Sequence, residues 1–217
     1  MLYHCYTRST RAGGDPISPR EAAAERLLEA AWELLTTEGP ASLTTRRIAE
    51  RAGTSTMSIY SRYGSKDGIL EELYTQGMRM LEDELAAVPG GTDARARIIE
   101  LGSAYRRFAV ANPGLYSLMF ERPVPGFTPS GETRLEALGR TFGILVSAME
   151  EASVEGLIRI ADAIETSYLF WAALHGMVSL ELTHAERDDL PGWFIDGQEA
   201  AERVYEHGMD IVLDGFS

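Results

Sequence analysis

The chain has 217 residues, 45% of them hydrophobic, which is enough for one sizeable domain or two small ones and too apolar for disorder to be its main state. Its formal net charge of −13 excludes a surface adapted throughout to polyanions, so contact with nucleic acid would need a segregated basic face. A single cysteine, Cys5, excludes an intramolecular disulfide framework and a multi-cysteine metal cluster, and it suits a reducing cytoplasm.

In chain order, "MLYHCYTRSTRAGGDPISPR" lacks the continuous apolar core of a signal peptide. Residues 1–18 read as a flexible arm carrying Arg8 and Arg11. Helical periodicity dominates from there, without a convincing strand alternation, so the fold class is all-α. The first helix is predicted from Pro19 or Arg20 to Glu38, with Leu27, Leu28, Ala31, Leu34 and Leu35 inward and Glu21, Glu25 and Glu29 wet. Gly39 and Pro40 stop it.

Two short helices fit between Thr44 and Tyr63, and a longer one, about 65–88, ends before Pro89-Gly90-Gly91. Further helices are expected at Thr92–Ala111, in a short piece after Asn112-Pro113-Gly114, at Thr133–Ala152, at Gly156–Thr183 and at Gly192–Leu213. The apolar run from Ile164 to Leu182 is broken by Glu165, His175 and Glu181, which marks a buried or interface helix and not a membrane span.

The segment from Thr44 to Lys66 carries the chemistry. Between Pro40 and Lys66 the charged residues are Arg46, Arg47, Arg51, Arg62 and Lys66 against Glu50, five minus one, or +4; Lys66 is the only lysine of the chain. Thr44 can cap the first short helix and Gly53 can end it in a left-handed turn; Ser55 can cap the second, which Gly64 ends before Ser65 caps the long helix. Ala49, Gly53 and Ile59 stand four and then six residues apart, the spacing of two helices that cross steeply around a tight turn.

In a helix–turn–helix the second helix enters the DNA major groove. With Ile59 inward, Met57, Ser58 and Ser61 point outward and Tyr60 and Arg62 lie on the flanks. Arg62 could read guanine or hold phosphate, and Met57 could meet a thymine methyl. Thr44, Thr45, Ser55, Tyr60 and Lys66 are placed for phosphates; Arg46 and Thr56 complete the candidate DNA-binding set. Taken by itself the spacing also fits a plain helical hairpin in a bundle.

Towards the C-terminus, Tyr105, Phe108, Tyr116, Phe120, Phe127, Phe142, Tyr168, Trp171 and His175 are the candidate ligand-binding residues, since they could line an apolar cavity. Most aromatic stripes at helical spacing are core, and a histidine on an apolar helix is more often hydrogen-bonded in a core or interface. Arg106 and Arg107, or Asp162 and Glu165, read as solvated helix faces before they read as effector partners. No phosphate loop, nucleophile elbow or Glu-x-x-His spacing is present; "ELTHAER" comes nearest and fails, so neither an enzyme, a cofactor nor a metal site is expected.

"LTTRRIAERAGTSTMSIYSRYGSKDGILEEL" resembles the segment of the TetR family of bacterial transcription regulators that holds helix two, the turn, the recognition helix and the start of helix four. The likeness extends back over "AAWELLTTEGPASLTT"; Gly64 stands where the family often has proline, and Ser61-Arg62 is an uncommon pairing. "NPGLYSLMF" and "FWAALHGMVSLEL" are similar to its Trp-His-Gly C-terminal subgroup. The resemblance implies a DNA-binding domain over 19–66 and a ligand-binding and dimerisation domain over 67–217. It further implies a cytoplasmic homodimer joined through its last two helices, a double-stranded DNA operator, and a small hydrophobic effector whose binding respaces the two DNA-reading heads. A helical bundle that binds ligand or protein and no longer reads DNA is the other reading that stays open.

Overall fold

The computed structural model describes residues 19–91, 93–122, 124–159, 162–185 and 197–216. The N-terminal arm, with His4, Cys5, Arg8 and Arg11, and the start expected for the last helix, Gly192, lie outside the described residues. Among those described the chain is all-α: α1 Pro19–Glu38, α2 Thr45–Arg51, α3 Thr56–Tyr63, α4 Lys66–Ala86, α5 Ala94–Ala111, α6 Pro113–Phe120, α7 Gly131–Val154, α8 Ala163–Ala185 and α9 Gln198–Asp214. No described helix is long and apolar enough to cross a membrane.

The chain divides into two compact units. One holds residues up to Gly77 together with Gly114–Thr133; the other holds Met78–Pro113 and Arg134–Ser217. In the first, α1 packs against α2 and α3. Leu27, Leu34 and Leu35 of α1 are buried, as are Ile48 and Ala49 of α2 and Ile59 of α3, so the apolar stripe read from the sequence closes this core. The same unit takes in α6, which comes close enough that a Cβ on Gly114 would sit 2.6 Å from the Leu35 carbonyl oxygen. Only glycine fits there. In the second unit α5, α8 and α9 pack on one another around Ile98, Leu101, Phe108, Phe170, Leu174, Val178 and Met209.

One boundary differs from the periodicity. The helix expected from Gly156 begins at Ala163, because Gly156 ends the preceding helix: it adopts φ 74°, and Leu157 N–H returns to the Ala152 carbonyl. That is a left-handed helix stop. The start signal is Asp162, whose Oδ1 accepts the backbone N–H groups of Ile164 and Glu165 at 2.8 and 3.0 Å.

Candidate nucleic-acid interface

The turn between α2 and α3 follows its local chemistry. The Thr44 hydroxyl accepts from Arg47 N–H at 3.3 Å, capping α2. Gly53, at φ 63°, ends α2, with Thr54 N–H returning to the Ala49 carbonyl at 2.9 Å. Gly64, at φ 74°, ends α3, and the Ser65 hydroxyl accepts from Gly68 N–H at 3.2 Å at the head of α4. Ser55 departs from expectation. It stands at the cap position of α3 in extended conformation, yet its side chain makes no cap bond; the neighbouring hydroxyls of Thr54 and Ser58 bond each other instead, at 2.8 Å.

On α3 the inward and outward faces separate as the 100° step requires. Ile59 is fully buried, whereas Met57 is 71% and Tyr60 51% exposed. Thr56 and Ser61 are exposed, and Ser58 and Arg62 are half-buried. The Ser61 hydroxyl donates to the Ser58 carbonyl. Thr44 is exposed, Thr45 half-buried, and Lys66 half-buried at the start of α4. Tyr63, just past this face, donates its hydroxyl to the Ala24 carbonyl of α1 at 2.8 Å, a bond between residues 39 apart that nothing local announces.

The local charge is smaller than the sequence window implies. Arg47 pairs with Glu38, and Arg51 reaches Glu38 at 3.0 Å and Glu33 at 3.3 Å, so two carboxylates of α1 fold back onto α2. Arg46 pairs with Glu50 one turn on, at 2.8 Å. The hydrogen bond from Arg47 is the main reason the Glu38 carboxyl is held below its usual range. Arg47 and Arg51 fasten α2 to α1 and Arg46 pairs within α2, while Arg62 at the end of α3 and Lys66 at the start of α4 are half-buried.

The nine candidate ligand residues fall into separate groups. In the first unit Tyr116 and Phe120 pack as a pair with centroids 5.1 Å apart, and Phe127 is buried. In the second, Phe108 is core, but five residues form one constellation. Phe142 and Tyr168 each meet Trp171 edge-on, at 6.3 and 6.0 Å; His175 lies 5.9 Å from Trp171, with its Nδ1 3.2 Å from the Tyr105 hydroxyl. The hydrogen-bonded histidine expected from its apolar helix is therefore present.

Arg106 corrects its reading as a solvated face. It is 5% exposed and makes a two-point pair with Glu181, under the ring of Tyr205. The one signal was Glu181 itself, a charge inside an apolar helix that had to find a partner. Arg107, by contrast, is exposed and pairs with Glu100. Gly176 is exposed, with open space where a Cβ would point; in the second unit close helix approaches occur at Gly102, against Met209 and Leu174, and at Gly208, against Met177. Among the described residues no group of three or more His, Cys, Asp or Glu side chains could hold a metal ion.

Residues 27–73 match the family model described as bacterial regulatory proteins, tetR family, and residues 98–207 match the tetracyclin repressor-like C-terminal domain. The chain is similar to the uncharacterized HTH-type transcriptional regulator YvkB of Bacillus subtilis, 38% identical over 89% of this chain and 96% of that one. It is also similar to the uncharacterized HTH-type transcriptional regulator Rv0681 of Mycobacterium tuberculosis, 28% identical over 81% of this chain and 78% of that one. Among solved structures, the transcriptional regulator FadR of Bacillus subtilis in complex with stearoyl-CoA superposes with a TM-score of 0.67 at 16% identity, covering 89% of this chain and all of that one. That likeness is one of fold.

Proposed function

The chain belongs to the tetR family of bacterial regulatory proteins, and on that premise we propose that it is a homodimeric repressor that binds a palindromic operator and leaves it when a small hydrophobic effector binds. As a member of that family it is a DNA-binding transcriptional regulator and not an enzyme. The observation that carries the proposal is the face of α3, where Ile59 is sealed into the core while Met57 and Tyr60 on the same two turns stand in solvent. An exposed apolar side chain beside exposed hydroxyls suits base edges and thymine methyls. Thr44, Thr45, Arg46, Ser55, Thr56, Met57, Ser58, Tyr60, Ser61, Arg62 and Lys66 form the proposed contact surface, with Arg46 the weakest member because of Glu50.

Dimerisation through the last two helices is supported by apolar side chains left exposed on them: Leu169 and Leu180 of α8 and Ile211 of α9. Ala172 and Gly176 share that side of α8 and would let a second copy approach. We assign DNA reading to the segment over 19–66, effector binding and dimerisation to 67–217, the Trp-His-Gly subgroup to the C-terminal part, and the cytoplasm as location. A lone helix–turn–helix touches few base pairs, and two copies one helical turn apart gain specificity.

The test is binding of the wild type and an Arg62→Ala, Lys66→Ala double variant to fragments from around the gene, at two salt concentrations. Selection of one fragment by the wild type, with a weaker affinity and shallower salt dependence in the variant, supports the proposal. Absence of binding to any fragment, including in a random-sequence selection, rejects it.

A further inference from the structure

From Thr54 to Ser61 the chain has no Arg, Lys, Asn, Gln, Asp, Glu or His. Those are the side chains that tell guanine, adenine or cytosine apart by two-point or charge-assisted hydrogen bonds in the major groove. The next residue, Arg62, is set back from the outward side of α3. It lies about 60° round the helix from Ile59, which is fully buried, and it is itself half-buried with its Nε enclosed. A guanidinium so placed suits a phosphate at the edge of the groove, not a guanine edge at its centre.

The serine hydroxyls of α3 are engaged close to home. Those of Thr54 and Ser58 bond each other at 2.8 Å, and Ser61 donates to the Ser58 carbonyl at 3.1 Å. Tyr60 stands on the flank, about 100° from Ile59. What remains at the middle of the outward face is the Met57 thioether, about 160° from Ile59 and 71% exposed. An unbranched, polarisable side chain adapts its shape to an apolar neighbour and is a poor partner for polar base edges. The apolar feature of the major groove is the C5 methyl of thymine.

We propose that α3 recognises its half-site through a thymine C5 methyl packed against Met57, and not through hydrogen bonds to guanine; the inference rests on the regulator reading above and specifies the chemistry of its operator. Each half of the operator then carries a thymine whose methyl group contributes to affinity through apolar contact alone. Removing that methyl withdraws the contact and leaves every hydrogen-bonding group of the base pair in place.

The test uses the full chain and an operator obtained by selection from random duplex DNA, in which each thymine is replaced in turn by deoxyuridine, lacking only the methyl. For the wild type, at least one replacement per half should weaken binding about fourfold, as expected for one buried methyl, and about fifteenfold when made in both halves. The slope of affinity against salt should not change, because no phosphate contact is lost. Met57→Ala, at an exposed position that tolerates change, should bind the thymine and uracil operators alike. Equal binding of both forms by the wild type at every position, a penalty that persists in full in Met57→Ala, or a selected half-site without thymine overturns the inference. Each of these outcomes leaves the regulator reading standing, since a sequence has been selected. Selection of no sequence at all removes the regulator reading, and this inference with it.

Discussion

Arg106 and Glu181, 75 residues apart in the chain, meet as a two-point pair: Nε donates to one carboxylate oxygen at 2.9 Å and Nη2 to the other at 2.7 Å. Their side chains are 7% and 14% exposed, and this pair joins α5 to α8. Burial works against the charged guanidinium, but the Glu181 bonds and the nearby negative charge hold its pKa above the ordinary arginine value. Removing one partner of such a pair leaves a buried charge unmet. Glu181→Ala should therefore cost about 3–5 kcal/mol of unfolding free energy, read from denaturant melts, whereas the double change Arg106→Met, Glu181→Leu should recover most of that loss.

Tyr63 tests how firmly α3 is seated. Its hydroxyl bond to the Ala24 carbonyl is worth about 1 kcal/mol net, so Tyr63→Phe should lower stability by about that much. Burial first, then the negative charge of Glu72, pushes the phenol from its ordinary value of 10.0 up to about 12. The unfolded chain ionises first as pH rises, so this contribution is complete below about pH 10 and is lost between there and about 12. Stability of Tyr63→Phe should fall less steeply than that of the wild type across this alkaline window.

Acid stability has a marker in Glu71 of α4. Its Oε1 accepts from the Thr133 hydroxyl at 2.6 Å and from Ser130 N–H at 3.1 Å, bonds that hold its pKa below the usual 4.5. A lowered carboxylate stabilises the fold above its ordinary pKa and loses that contribution as pH falls through the lowered value. Glu71→Gln should thus be slightly less stable than wild type at pH 7, by less than about 1 kcal/mol because the site is open to solvent. The two melting curves should converge below pH 4.

Met57 separates recognition from folding. At 71% exposure it contributes little to the core, so Met57→Ala should leave the melting temperature within about 1 °C of wild type. Operator affinity should fall about 5–30-fold, equivalent to about 1–2 kcal/mol, with affinity for unrelated DNA unchanged. An equal loss on both kinds of DNA would assign Met57 to no base contact.

Helix positions and the α2–α3 turn were legible from the residues alone, because caps and left-handed glycines act over four or five neighbours. Thr44, Gly53, Gly64 and Ser65 each do in the structure what their local chemistry dictates. Gly156 was misread for the same reason, since a glycine between two apolar stretches can open one helix or close the other; the bond from Leu157 to Ala152 decides it. Charge was not local in this way. The window around α2 counts as strongly basic until Glu33 and Glu38 fold back from α1, and Arg106 counts as a surface residue until α8 brings Glu181 against it. Ion pairs, like the Tyr63 bond to Ala24 and the Phe142–Trp171–His175 cluster, depend on which helix faces meet, and that is set only when the whole apolar surface is buried at once.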